Sequence, residues 1–337
     1  MSHLLRLCLV FICCGLLAAC AAPRVAITTL EPGSSIEAAR LKTVAVLPFN
    51  GSGGATLAAE IEAMLAGIRL DGKQYFQVVS RSDLDKVFSE LKLSISGDFH
   101  PEDVVQVGML TGARGIYTGQ ITARSVTDSR YLTERRVCST TNAKGKCTAW
   151  TTTKVPCIRR TALLDVTPRL IEVQSGRVVF SELYREQREE SGCRDDSSPL
   201  PTPEELLRQA QQQVIERLRK DIAPYYRTSQ VRLLESTEGL PASHQQAFEN
   251  ALEFAKAKRL DRACSIWQQI GGSGVQSAAL QHNLGVCAEE NGDLEAALSL
   301  ITRADGLLTK PDEVVTESLQ RVREGLAKRA KARQQVQ

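Results

Sequence analysis

The chain has 337 residues, 42% of them hydrophobic and 24% charged, enough to bury real cores but long for one domain, so two folded domains are expected. Lys and Arg number 42 against 39 Asp and Glu, and a net charge of +3 gives no field of the kind a nucleic-acid binder uses. Four histidines supply few metal ligands and few general bases, which disfavours a conventional hydrolase and leaves no metal site or cofactor to expect.

Arg6 is followed by Leu7 to Ala19, thirteen residues without a charge. Spanning a bilayer as a helix takes about 20 apolar residues, so residues 1–19 read as a signal peptide. The run ends in Leu17-Ala18-Ala19-Cys20, which resembles the lipobox of bacterial lipoproteins. That resemblance implies that Cys20 is acylated and becomes the first residue, and Ala21 after it implies sorting to the outer membrane, facing the periplasm. Cleavage and acylation use up Cys8, Cys13, Cys14 and Cys20, leaving Cys138, Cys147, Cys157, Cys193, Cys264 and Cys287. An even set in an oxidising compartment fits disulfides, among 15 possible pairings. Chain proximity favours Cys138 with Cys147 and Cys157 with Cys193, while Cys264 and Cys287 read equally as a pair or as free buried thiols. No C-x-x-C motif occurs, so a thioredoxin-type redox site has no support.

Residues 20–41 are small, polar and punctuated by Pro and Gly, the composition of a tether. Thr43 to Phe49 reads as a strand, and Asn50-Gly-Ser-Gly-Gly54 turns it into a helix over 55–70. The loop lacks both the P-loop and the dinucleotide-binding glycine pattern, so its glycines read as turn formers. Tyr75 to Ser80 is a second strand, and Ser82 with Asp85 resembles a capping box opening a helix to Leu91. Pro101 to Leu110 has acids in its first turn, as a helix start favours, and Gly115 to Thr122 alternates as a strand. Thr161 to Val173 and Arg177 to Glu186 are two more strands joined by Gln174-Ser-Gly176. Pro201 to Ile222 is an amphipathic helix, and 224–242 reads as a linker.

The run TVAVLPF with its glycine-rich loop, VVSRSDLDKVFSEL, VGMLTGARGIYTGQIT and LLDVTPRLIEVQSGRVVFSE resemble, in that order, the CsgG-like family of outer-membrane lipoproteins typified by the curli secretion channel. The resemblance covers about residues 41–225. It implies a periplasmic α/β domain and two hairpins per subunit, here at 123–160 and 181–202, that build a transmembrane barrel in a ring of subunits. A barrel strand needs apolar residues at alternate positions over about ten residues. Tyr131 to Ser139 instead carries charge on both faces, as does SELYREQREESGCRDD, and Cys147 to Cys157 offers only a weak belt. At roughly 2–4 kcal/mol per basic residue at the midplane such strands should not insert, so the hairpins are expected as soluble extensions. Between Ser129 and Arg160 stand Arg130, Arg135, Arg136, Lys144, Lys146, Lys154, Arg159 and Arg160 against Glu134 alone, a basic patch suited to anionic headgroups or an acidic partner, or else a solvated loop.

Beyond the linker, Asn283, Leu284, Gly285, Ala288, Gly292, Asp293, Ala297 and Ala304 resemble the tetratricopeptide pattern. Leu294, Ala297 and Leu300 recur 34 residues earlier as Leu260, Ala263 and Ile266, the period of that repeat, though Asn250 and Ala251 stand where the Leu-Gly pair belongs. A third helix from Asp312 to about Ala330 should cap the stack, and Trp267 should be core.

The expected fold is α+β: a signal peptide (1–19), a tether (20–41), a mixed α/β sheet domain with a long hairpin extension (42–223), a linker (224–242) and an all-α, tetratricopeptide-like domain (243–331). The expected function is that of a non-enzymatic, outer-membrane-anchored periplasmic lipoprotein that scaffolds assembly or secretion of an envelope structure through protein partners and possible homo-oligomers, with no nucleic acid. The competing reading is a subunit of a CsgG-like secretion channel. His100, His244 and His282 fall in different elements with no nucleophile motif beside them, which disfavours an enzyme.

Overall fold

The computed structural model describes residues 23–92 and 100–336, so the signal peptide and Cys20 lie outside the described residues. Gly33–Pro224 fold as one compact unit, and residues 23–32, which carry strand β1 (Arg24–Glu31), join Tyr225–Gln334 in another.

The Gly33–Pro224 unit begins with a short helix α1 (Ile36–Arg40) and strand β2 (Thr43–Val46), followed by α2 (Gly54–Gly67), β3 (Arg69–Leu70), β4 (Lys73–Gln74) and β5 (Gln77–Val78). The glycine loop is explained by the backbone. Gly51 and Gly53 have φ of +103° and +84°, and a Cβ on Gly54 would lie 1.8 Å from the Phe49 carbonyl oxygen, so any side chain there would collide with the chain it turns against. Helix α3 (Arg81–Leu91) starts ahead of the expected Ser82 cap. The cap is Ser80, whose Oγ accepts from the Asp83 N–H at 3.2 Å, because β5 ends at Val78 and leaves Ser80 extended and free to turn. Helix α4 (Pro101–Thr111) has Pro at its first position, where its missing N–H costs nothing.

Then come the long strands β6 (Gly115–Thr141) and β7 (Cys147–Glu172), and β8 (Val178–Ser181), β9 (Tyr184–Cys193) and helix α5 (Pro203–Ile222). The sheet order is β5-β2-β6-β7-β8, with β9 also paired to β7. β2 runs parallel to both β5 and β6, and the β6–β7, β7–β8 and β7–β9 pairs are antiparallel. Helices α3 and α4 bury Leu84, Val87, Phe88, Val104 and Val107 against Ala45, Leu47, Ile116, Ile171 and Val173. Thr202 and Glu205 close a reciprocal capping box on α5, which buries Leu206 and Leu207 with Ala162 of β7, and Val126 of β6 packs against them.

Two expectations about the hairpins change here. The strand expected at 115–122 does not stop before the extension; β6 and β7 are single strands of 27 and 26 residues, roughly 90 Å at about 3.4 Å per residue. The second hairpin at 181–202 does not form. β9 lies along β7 from Val166↔Tyr184 to Cys157↔Cys193, and the chain then leaves the sheet toward α5. Charge on both faces of a strand does not stop it from pairing, because the backbone ladder is indifferent to side-chain charge.

In the second unit the tether and the linker contain secondary structure that their composition hides. Strand β1 pairs antiparallel over its full length with β10 (Tyr225–Arg232). Val25 and Ile27 alternate inward from β1, and with Val231 and Leu233 they join the core of Phe248, Leu252, Trp267, Leu280 and Val286. The neighbouring Pro and Gly mask the period-two alternation of β1, which the burial of Val25 and Ile27 brings out. The helices are α6 (Ala242–Lys256), α7 (Leu260–Gly271), α8 (Ala278–Glu290), α9 (Leu294–Gly306) and α10 (Glu313–Val336), the last longer than expected. α6 packs on α7, α7 on α8 and α8 on α9. Trp267 is fully buried, as core requires. Among the described residues no helix is long and apolar enough to cross a membrane.

Candidate functional site: a disulfide-bracketed hairpin

The hairpin is fixed at two levels by covalent links. Cys138 and Cys147 are joined beside the tip, 5.7 Å apart at Cα, and Cys157 is joined to Cys193 across the β7–β9 ladder, where the two are direct partners in register. The tip itself is an Asn-anchored turn: Asn142 Oδ1 accepts from the Lys144 and Lys146 N–H groups at 3.0 and 2.9 Å, and Gly145 has φ of +76°. Cys264 and Cys287 form a third disulfide, tying α7 to α8.

The eight-residue basic patch divides. Arg160 is bidentate to Asp128 at 2.8 and 2.7 Å and donates to the Pro201 carbonyl, Arg159 pairs with Glu189 at 3.3 Å, and Arg135 reaches Asp195 and Asp196 at 3.2 and 2.6 Å. Counting charge along 129–160 alone misses these acids, because Glu189, Asp195 and Asp196 arrive from β9 and the segment after it and Asp128 lies one residue outside the window. The Cys193 N–H and then the Arg135 guanidinium hold the Asp196 carboxyl below the usual carboxylate range; Arg160 does the same for Asp128. Arg130, Arg136, Lys144, Lys146 and Lys154 remain exposed. Arg136 lies over the Trp150 ring at 5.7 Å. Cys193, Asp195 and Asp196 stand close together, but the Cys193 sulfur is bonded to Cys157 and both carboxylates face Arg135, so the group is an ion-pair cluster and not a cation site.

In the helical unit, Leu260 and Leu294 are the first residues of α7 and α9, 34 positions apart, and Ala263 and Ala297 are both fully buried. Gly285 sits where α8 meets α9: a Cβ there would lie 2.4 Å from Ile301 Cγ1. Ala304 is buried, Ala288 packs against the α9–α10 core, and Leu284 packs against the core around Trp267. Gly292, with φ of +77°, turns the chain after α8.

The sequence separates His282 from any nucleophile; the fold does not. Its Nε2 lies 2.9 Å from Ser318 Oγ, and its Nδ1 lies 3.1 Å from Asn283 Oδ1. The proton order follows from the ends of the chain. Asn283 Oδ1 can only accept, so Nδ1–H donates to it; Nε2 then accepts from the Ser318 hydroxyl, whose oxygen accepts from Arg321 at 3.2 Å. Arg321 in turn grips Glu289 bidentately at 2.9 Å on each oxygen. His282 is completely buried and Ser318 nearly so, which bars any substrate from this serine–histidine pair. Its role is to satisfy polar groups where α8 meets α10. The contact spans 36 positions of sequence, so no local motif signals it.

Burial pulls the His282 pKa from its ordinary 6.5 down to about 4. A base with a depressed folded pKa contributes stability that is complete above the unfolded value and is lost as pH falls from about 6.5 toward about 4, up to about 3 kcal/mol. Urea titrations followed by Trp267 emission should therefore show the helical unit weakening between about pH 7 and about pH 4.5, with the slope lost in His282→Gln. An equal slope in the variant would assign the effect to other groups.

Residues 43–193 match the family model described as "Curli production assembly/transport component CsgG". No curated protein matches the chain. Among solved structures, lipoprotein GNA1162 of Neisseria meningitidis is similar at 11% identity, TM-score 0.29, over 52% of this chain and 96% of that one. The LpoB C-terminal domain of Salmonella enterica is 17% identical, TM-score 0.26, over 44% of this chain and 84% of that one. A PelC dodecamer from Paraburkholderia phytofirmans is 15% identical, TM-score 0.25, over 58% of this chain and 99% of that one. Scores this low make those likenesses partial. Over residues 43–193 the chain is CsgG-like, and that segment carries the whole hairpin with both of its disulfides.

Proposed function

We propose that this chain is a non-enzymatic lipoprotein, anchored in the outer membrane through an acylated Cys20 and facing the periplasm, that scaffolds assembly or secretion of an envelope structure. The observation that carries the reading is the hairpin of the CsgG-like segment: Arg135, Arg159 and Arg160 are paired to acids of β6, β9 and the segment after β9, and disulfides fix it beside the tip and part-way along β7, a construction that holds a rigid arm in water. The helical pairs of the second unit, read as tetratricopeptide-like repeats, offer surfaces for a peptide segment of a partner protein. The family description names transport, which favours the second reading, a channel subunit in an oligomeric ring. In that case another chain must cover Arg136 and Lys154.

Two measurements together separate these. Cys20→Ser should move the protein from the membrane pellet to the soluble periplasm, and purified wild-type protein should give no stable conductance in planar bilayers. Retention of the mutant in the outer membrane together with reproducible channels would establish the ring-forming subunit instead.

A further inference from the structure

The β6–β7 register is unbroken from Ala123↔Asp165 to Cys138↔Trp150, so every second residue over this length shares a face. Val126 and Ala162 belong to one face, and near them α5 covers it with Leu206 and Leu207. Further out the same face passes through Arg130↔Ile158, Leu132↔Pro156, Glu134↔Lys154, Arg136↔Thr152 and Cys138↔Trp150. A Cβ on Gly192, paired with Ile158 on this face, would meet Leu200 at 3.1 Å, so the segment leading into α5 covers the beginning of this stretch. Beyond it the cover ends, and Leu132 and Trp150 are 63% and 56% exposed.

This outer strip has a consistent chemistry. Its apolar members Leu132, Pro156 and Trp150 are interleaved with Arg130, Arg136 and Lys154 against one acid, Glu134, and Lys144 and Lys146 extend the positive charge onto the tip. An exposed indole among cations is the combination that settles at the headgroup level of a bilayer, where the ring tolerates one wet edge and the cations meet anionic lipid. The strip is also too small for a stable protein interface. Eight residue steps at about 3.4 Å and two strands about 5 Å apart give roughly 27 by 10 Å, well under the ~800 Å² per partner such interfaces bury.

We propose that the hairpin tip is a peripheral docking site for an anionic lipid surface, with Trp150 entering the headgroup layer and Arg136, Lys144, Lys146 and Lys154 contacting lipid phosphates. The contact lies flat on one leaflet and spans nothing. It stands independently of the Cys20 anchor, because the readout is the environment of one side chain and not the fraction of protein bound.

Trp150 and Trp267 are the two tryptophans of the chain, and Trp267 is fully buried. Full-length protein mixed with phosphatidylethanolamine vesicles, with or without phosphatidylglycerol, should therefore report the tip through Trp150 alone. The expected result is a blue shift and quenching by bromines placed high in the acyl chains, only in vesicles containing phosphatidylglycerol, fading as salt rises from about 0.1 to about 1 M. Lys144→Ala with Lys146→Ala, both in an exposed turn, should weaken this response about fivefold per cation, and Trp150→Phe should abolish it. Trp150 emission indifferent to phosphatidylglycerol would overturn the proposal. So would quenching deepest at the bilayer centre regardless of lipid charge, which marks a spanning hairpin, or absent quenching with crosslinking of position 150 to a protein in the intact envelope, which marks a protein partner.

Discussion

Arg321→Met should destabilise the helical unit by about 3–5 kcal/mol, because the Glu289 carboxyl, whose side chain is 1% exposed, loses the cation that grips it and no other cation is bonded to it in the described network. Ser318 loses a donor in the same step, and through it the hydrogen bond that fixes the His282 ring is weakened. For a unit of this size each kcal/mol corresponds to roughly 4–8 °C, so a fall in midpoint of at least about 12 °C is expected by differential scanning calorimetry. The double variant Arg321→Met with Glu289→Gln should recover a large part of the loss, since the expensive element is the unpaired buried charge and not the absence of the pair. If the single and double variants melt alike, the pair contributes through packing alone.

Removal of the Cys157–Cys193 link should have a comparable effect on the other unit. The bridge closes a loop of 36 positions, for which chain entropy predicts about 3–4 kcal/mol. Its position sharpens the consequence. Beyond Cys157 the strand β7 has only β6 beside it, and the bridge pins the last residue of β9 at the point where the three-stranded part of the sheet ends. In Cys157→Ser with Cys193→Ser, proteolysis should open first between residues 193 and 203, where the chain crosses from β9 to α5 without regular structure, before the α/β core is cut. The Cys138–Cys147 bridge closes a much shorter loop next to a turn that Asn142 already orders, so its loss should cost less and leave the core melting unchanged. Protection of 193–203 equal to wild type in the double serine variant would show that the strand ladder alone holds β9.

Much of the order of strands and helices from Thr43 to Ile222 is readable because its signals are local, such as the β-branched run at 43–46 and the acids in the first turn of α4. The strand expected at 177–186, however, is two strands, β8 and β9, because the chain breaks between Ser181 and Tyr184 to lay β9 along β7. The helical pairs are readable too, where spacing of 34 places Leu260 and Leu294 at equivalent helix starts. Two disulfides follow from proximity along the chain, 138 with 147 and 157 with 193, and the third stays open at that level because Cys264 and Cys287 sit in separate helices whose packing brings them together. What depends on tertiary structure has one physical reason, namely contact between residues far apart in sequence. β1 and β10 are some 200 positions apart and are stable as strands only when paired, so each alone reads as tether or linker. The basic run at 129–160 looks uncompensated until β9 and the segment after it bring in Glu189, Asp195 and Asp196. The chain Arg321–Ser318–His282–Asn283 exists only once α10 has closed on α8, and that closure turns an isolated histidine in the sequence into a buried, neutral structural element.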